Sequence, residues 1–322
     1  AISSPVPGSR TGRLRLGSDE GHVMEDFKGR TAVITGAASG FGLETSRLAA
    51  QLGMNVVMAD VQADALEVAA HDVQSLGAQV LTQRVDVSSA EQVQALADAT
   101  QARFGVPHFV FNNAGVGSGG LIWENSLADW QWVLGVNLWG VVHGVRSFTP
   151  MMLVAAASDA SYRGHIMNTA SMAGMLNPPN MGVYNVSKHA VVSLSETLYQ
   201  DLTLVTDQLS AHVLCPYFVP TAIHRSERNR PAGAEADRPT RSQMISRAMS
   251  EKAVTGGKVT AADVARMVFD ALRERRFYVF SHPKALGSVQ TRLEDVMQMR
   301  NPSDPFRDRP EIGQHLRQAL RS

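Results

Sequence analysis

The sequence predicts an α/β fold: one doubly wound, parallel, seven-stranded sheet with helices on both of its faces. Three observations predict it. From Lys28 onward, short apolar and β-branched runs alternate with longer stretches of helical period. The short runs are apolar on both faces of the strand each would form, as in a sheet covered on both sides. The chain has 322 residues, 44% of them hydrophobic, enough to bury such a core.

The elements alternate from strand to helix. TAVIT (31–35) is the first strand and GLETSRLAAQL (42–52) the first helix. MNVVMAD (54–60) leads to the helix ADALEVAAHDVQSL (63–76), and AQVLTQRVDV (78–87) to AEQVQALADATQARF (90–104). HFVFNNAG (108–115) is the fourth strand, followed by the long helix ADWQWVLGVNLWGVVHGVRSF (128–148). HIMNTAS (165–171) precedes VSKHAVVSLSETLYQDLTLV (186–205), and SAHVLCPY (210–217) precedes ADVARMVFDALRER (262–275). FYVFS (277–281) closes the sheet. Right-handed crossovers leave few topologies for this order.

Two stretches interrupt the alternation. Residues 155–164 lengthen the approach to the fifth strand. Residues 218–259 form a long segment at the carboxyl end of the sixth, the end where open parallel sheets bind ligands, and this position predicts a lid. The first 24 residues carry neither helical period nor signal-peptide core and read as a flexible leader of expression-vector origin, ending at a start-like Met24. Residues 25–300 are expected to form one domain including the lid, and 301–322 a C-terminal extension ending in a short helix.

Thirty Lys and Arg balance thirty Asp and Glu, so no global field draws the chain to nucleic acid or membrane. No apolar run is long enough to span a bilayer. The single cysteine, Cys215, fits a reducing compartment, and a cytoplasmic location is expected. The ten histidines show no metal-ligand spacing, so no metal is expected.

Two motifs carry chemistry. In TGAASGFG, Gly36, Gly40 and Gly42 stand between the first strand and the first helix. They remove side chains where the turn is tight, where backbone approaches a pyrophosphate, and where helix packs on strand. Asp60 ends the second strand 18 residues beyond Gly42. A carboxylate there accepts ribose hydroxyls and repels a 2'-phosphate, and the following Val61 and Gln62 offer no cation, so NAD is expected over NADP. Asp60 as a cap of the next helix is the alternative. In YNVSK, Tyr184 and Lys188 are four residues apart and share a helix face.

Taken together these motifs resemble the short-chain dehydrogenase/reductase family, in its single-domain Rossmann-like branch, from about Lys28 to Pro283. NNAG (112–115), Asp86–Val87 and the spacing of thirteen residues from Ser171 to Tyr184 extend the resemblance. It implies a catalytic set of Asn137, Ser171, Tyr184 and Lys188. It implies cofactor contacts from Gly36, Ser39, Gly40, Phe41, Gly42, Asp60, Asp86, Val87, Asn113, Ala114, Gly115, Tyr184, Lys188, Pro216, Val219 and Thr221. The implied activity is interconversion of a secondary alcohol and a ketone with NAD. Tyr184 is the acid/base, Ser171 holds the substrate oxygen, and Asn137 holds a water leading from Lys188 to solvent. Asn137 as a mid-helix kink is the alternative.

A free tyrosine titrates near pH ~10, so a base near neutrality needs a shift of about three units, of which a neighbouring cation supplies roughly one to three. Lys188 is expected to tune the phenol in this way. The family's usual Pro-Gly after the sixth strand is here Pro216–Tyr217, and Tyr217 either faces the substrate cleft or packs under the lid. Trp123, Met172, Met175, Met181 and Tyr217 are expected to form an apolar substrate wall, favouring a hydrophobic or aromatic alcohol. A 3-oxoacyl thioester reductase and a non-catalytic NAD sensor are the alternatives. Family relatives also imply a homo-oligomer, a tetramer before a dimer.

Overall fold

The computed structural model describes residues 26–231 and 238–321. The expected leader and residues 232–237 of the expected lid lie outside them. All seven strands form where the apolar runs stand: β1 Thr31–Thr35, β2 Asn55–Asp60, β3 Val80–Arg84, β4 Phe109–Asn112, β5 Gly164–Thr169, β6 Leu209–Cys215 and β7 Tyr278–Phe280. Every pairing is parallel, in the order β3-β2-β1-β4-β5-β6-β7. The order reverses between β1 and β4, which opens a crevice at their carboxyl ends.

Alternation along each strand divides the core. Ala32 and Ile34 of β1 face one side and pack with α1 (Gly40–Gln51), α2 (Ala63–Ser75) and α8 (Ala261–Arg273). Val33 faces the other side, toward α3 (Ala90–Phe104), α5 (Gly140–Ser158) and α6 (Gly182–Val205). The central strands β1, β4, β5 and β6 are buried throughout, and only the edge strands β3 and β7 carry exposed positions.

The structure departs from the sequence expectation at the end of β3 and along the helix after β4. β3 stops at Arg84, so Asp86 and Val87 turn out of the sheet toward the crevice side. The helix expected at 128–148 is α4 (Leu127–Leu134), a π-helical turn (Gly135–Trp139) and α5, which runs through Pro150 to Ser158. Proline inside a helix costs about 3 kcal/mol. Phe148 and Met152 lie in the sheet-facing core on either side of it, with Ala156 one turn further, and burying each large side chain contributes about 1.5–3 kcal/mol. Packing therefore carries the helix past the proline, and only 159–163 remain as connection before β5.

The segment after β6 contains a 3-10 stretch (Ala222–Asn229) and α7 (Arg241–Thr255). Finally, α9 (Leu286–Met297) follows β7, and α10 (Pro310–Arg321) ends the described chain, touching α7.

Candidate active site

The glycine loop runs from β1 into α1 at the crevice. Gly36 and Gly40 have φ of 67° and 55°, left-handed values natural to glycine. A Cβ at Gly42 would stand 2.1 Å from the Gly36 carbonyl oxygen, so the helix can approach the strand only with glycine there. Ser39, the N-cap of α1, makes no capping hydrogen bond, which leaves the first-turn amides without a side-chain partner. Such a turn fits a pyrophosphate. Phe41 packs back onto the core.

Asp60 performs two local tasks. Its carboxylate accepts from the Ala38 amide of the glycine loop (3.0 Å) and from Gln62 N just ahead of α2 (3.0 Å). It thus fixes the loop to the end of β2 as well as leading into the next helix. Arg84, its neighbour in register, donates Nε to the Val61 carbonyl (3.1 Å). Asp86 accepts from Ser88, while Val87 packs against Gly140, where a Cβ would come within 2.7 Å.

Asn113 joins three strand ends. Its amide donates to the Thr35 carbonyl (3.0 Å), its oxygen accepts from Thr169 Oγ1 (3.2 Å), and the Thr35 hydroxyl accepts from the backbone of Asn113 and Ala114. The neighbouring Asn112 is buried and donates to Asn168. Gly115 follows. A Cβ there would lie 3.4 Å from Asn137 Oδ1 and 3.5 Å from Lys188 Nζ, so glycine keeps open a space beside both groups.

The four residues expected to carry catalysis meet at this point. Ser171 caps a short 3-10 turn (Met172–Gly174), accepting from Ala173 N (3.1 Å) and donating to the Pro216 carbonyl (3.4 Å). Tyr184, in the first turn of α6, has its phenol beside the Ser171 hydroxyl. Lys188 is fully buried; its ammonium donates to the Thr169 carbonyl (2.8 Å) and lies 5.7 Å from the centre of the Tyr184 ring. Asn137 sits in the π-helical turn, a distortion that recurs at functional sites. Its amide exchanges hydrogen bonds with the Val116 backbone and also donates to Ser187 Oγ (3.1 Å).

The electrostatics differ from the expected tuning. Burial raises the Tyr184 phenol above its ordinary value, and the hydrogen bond from Ser171 opposes this only in part. Burial also pushes Lys188 down to about 8. Among the protein's own groups, desolvation is the largest influence on both side chains.

The expected substrate wall is dispersed. Met172 is buried in the core, Met175 packs on the cluster of Val141, Ala170 and Val191, and Trp123 is 76% exposed. Met181 pairs in a β-bridge with Gly120. The Tyr217 ring lies against Phe218 (4.3 Å) and His282 (5.8 Å), half exposed. Val219 is buried, and Thr221 caps the 3-10 stretch with its methyl 3.4 Å from where a Gly40 Cβ would stand.

The segment over the site is docked by polar groups. Ser226 Oγ accepts from Gly117 N (2.8 Å), Ser242 Oγ accepts from Leu121 N (2.9 Å), and Gln62 donates to Asn229 (2.7 Å). In α7, Ser242 and Ser246 are buried against the domain, Ile245 and Met249 are half-buried, and Met244 and Ala248 are exposed. Gly119 permits this fit, since a Cβ there would fall 1.9 Å from Ser246 Oγ.

The family model for short chain dehydrogenase matches residues 30–232. The chain belongs to the short chain dehydrogenase family. This dehydrogenase is similar to a short chain dehydrogenase/reductase from Burkholderia phymatum solved in complex with NAD: 50% identity, TM-score 0.85, 88% of this chain and 99% of that one. It is 32% identical over 280 residues to the CLA biosynthesis dehydrogenase/reductase of Lactiplantibacillus plantarum, covering 85% of this chain and 95% of the relative. It is 35% identical over 269 residues to the 1-deoxy-11-beta-hydroxypentalenate dehydrogenase of Streptomyces exfoliatus, covering 83% and 88%. The enzyme is therefore an oxidoreductase with a Rossmann-like fold.

Sequence reasoning missed several residues that this dehydrogenase places at the site. Ser187, inside YNVSK, bridges Asn137 to the Tyr184 carbonyl. Asn180 joins the loop ahead of Tyr184 to α7. Asp129 and Arg230, far apart in sequence, hold the segment over the site to α4. A polar residue between Pro179 and the apolar start of α6 was the only signal for Asn180.

Proposed function

We propose that the enzyme is an NAD-dependent alcohol dehydrogenase or ketone reductase acting on a hydrophobic or aromatic secondary alcohol. The observation that carries this reading is the convergence of Ser171, Tyr184, Lys188 and Asn137 beside a glycine loop whose first-turn amides have no side-chain cap. NAD supplies the hydride acceptor when bound. The protein's own groups do the rest. Ser171 holds the substrate oxygen, the Tyr184 phenolate takes the hydroxyl proton in oxidation and the phenol gives its proton in reduction, and Lys188 passes that proton out to solvent or back in through the space beside Gly115 and Asn137. Since burial raises the phenol, a lowering of its pKa requires the positive charge of the oxidised nicotinamide in addition to Lys188.

NAD is favoured by the carboxylate of Asp60 at the end of β2 and by the NAD-bound Burkholderia relative. Glycine-loop residues 36–42, Asp60, Asp86–Val87, Asn113–Gly115, Pro216, Val219 and Thr221 would line its site. The apolar substrate class is supported by a relative named for a hydroxypentalenate. Screening secondary alcohols with NAD and ketones with NADH, read by nicotinamide absorbance, tests this reading. Failure with every apolar pair would overturn it.

We also propose a cytoplasmic homotetramer. Exposed apolar side chains on α5 and α6, including Val154, Val186 and Leu204, and the aromatic edge at Tyr278 support self-association. Among the described residues no helix is long and apolar enough to cross a membrane. Sedimentation velocity over a range of concentrations tests assembly, and a monomer throughout would exclude it.

A further inference from the structure

Asn180 stands where three parts of the site meet. It lies four residues before Tyr184, 7% exposed, with a left-handed φ of 65°. Its carbonyl accepts from the Gly120 amide (2.9 Å) and from Ser246 Oγ of α7 (3.0 Å). Its side-chain amide donates to the carbonyl of Ser242, also in α7 (3.0 Å). Two of these three bonds therefore lead to the segment over the site. The third leads to the loop after β4.

The catalytic helix needs such an anchor. α6 begins at Gly182 behind Met181, which provides no side-chain cap. Tyr184 is the third residue of that helix, within the turn whose amides lack intrahelical partners. What fixes 177–181 therefore fixes the phenol. Asn185 secures one side by donating to the Pro178 carbonyl (2.8 Å), and Asn180 secures the other. An asparagine at φ 65° is less relaxed than glycine would be, yet only a side chain can reach the Ser242 carbonyl.

We propose that Asn180 is a positioning residue through which the docking of α7 sets the place of the Tyr184 phenol, so that the site is competent only when α7 is seated. This rests on Tyr184 acting as proposed above. It differs from a role in substrate retention, because an undocked α7 would slow the chemical step as well as weaken binding.

The test uses the full-length enzyme and three variants. Asn180→Gly keeps the left-handed backbone and removes only the amide. Its kcat should fall roughly tenfold to a hundredfold, the scale of a misplacement of about 1 Å, while NAD affinity stays unchanged. The isotope effect on kcat with a carbinol-deuterated alcohol should rise. Gly119→Ala drives a methyl into Ser246 and should reproduce the loss; adding Ser246→Gly removes the clashing atoms but also the hydroxyl's bond to the Asn180 carbonyl, and should recover only part of it. An unchanged kcat with a raised KM in Asn180→Gly would overturn the proposal while leaving the proposed reaction intact.

Hydrogen exchange provides a readout that does not need turnover. Residues 182–188 should exchange faster in Asn180→Gly and Gly119→Ala and return toward wild type in Gly119→Ala/Ser246→Gly. Should the wild type turn over no alcohol or ketone, the catalytic reading fails, and this exchange pattern alone decides the coupling. Unaltered exchange at 182–188 would overturn it.

Discussion

Asp129 and Arg230 form an ion pair 2.7 Å long whose side chains are only 6% and 9% exposed. The guanidinium lies 4.2 Å from the centre of the Trp132 ring and also reaches Glu227, while Gln243 donates to the second carboxylate oxygen of Asp129. Burial alone would raise the Asp129 carboxyl, but hydrogen bonds from Arg230 and Ser126 hold it below its ordinary value. The pair ties α4 to the segment over the active site.

Removing one partner of a buried pair strands the other charge, at a cost of about 3–5 kcal/mol. Arg230→Met should therefore undock residues 218–231 and 238–259 and raise KM for substrate. Limited proteolysis in this segment should accelerate, and NAD should protect less than in wild type. A double-mutant cycle with Asp129→Asn should show strong coupling. Additive effects would mean that the pair does not hold the segment.

Tyr184→Phe removes one hydroxyl from a buried site and leaves the ring in place. We expect turnover to fall by roughly 10²–10⁴-fold with NAD affinity nearly unchanged. Lys188→Ala should harm both, because the ammonium also fixes the Thr169 carbonyl at the end of β5. Calorimetric titration with NAD beside steady-state kinetics separates the two effects. Substantial activity in Tyr184→Phe would exclude this phenol as the acid/base.

Asp60→Ala should narrow the preference for NAD over NADP, since the repelling carboxylate is lost. It should also lower efficiency with NAD itself, because the Ala38 amide loses its acceptor. The ratio of kcat/KM values for the two cofactors measures the first effect. A wild-type enzyme that used NADP equally well would refute the assignment of Asp60.

Stability should decline in mild acid because of a histidine pair at the opposite end of the sheet. His212 Nδ1–H donates to the Arg276 carbonyl (2.8 Å), so its Nε2 accepts from His165 Nδ1–H (3.0 Å). A proton on that Nε2 would set donor against donor. Burial lowers both rings, His212 to about 4, and His108 nearby is likewise lowered to about 4. The unfolded chain, titrating near ~6.5, takes up protons first as pH falls. Stability is then full above about 6.5 and lost toward about 4, with a slope of up to about 1.4 kcal/mol per pH unit for each fully buried ring. Urea unfolding at several pH values should show this decline, and His212→Gln should flatten it. A flat profile in wild type would contradict the assigned tautomers.

The sheet was legible because its signal is local. Each strand is a short apolar run, and TGAASGFG, NNAG and YNVSK occupy fixed places relative to those runs. What depends on distant partners was not legible. Pro150 argues for a helix end until Phe148 and Met152 are seen in the same core. Met172 and Met175 read equally well as cleft wall or as core, and the structure puts them in core. The inward face of α7 is hidden from sequence for a similar reason. An apolar period normally marks the buried face, but Gly119 and Gly120 bring the backbone close to α7, where Ser242, Gln243 and Ser246 meet it.

That close approach matters for anyone wishing to redesign the enzyme. α7 is attached through serine hydroxyls, an asparagine amide and a glutamine, with Met244 and Ala248 left in solvent. Its outward positions are therefore open to wholesale replacement, much as a roof can be reclad while its joints are kept. Libraries aimed at new substrates should hold Gly119, Gly120, Asn180, Ser242 and Ser246 constant and draw their diversity from Met181 and Tyr217. Enlarging a side chain at either glycine would instead pry the cover away from the site it closes.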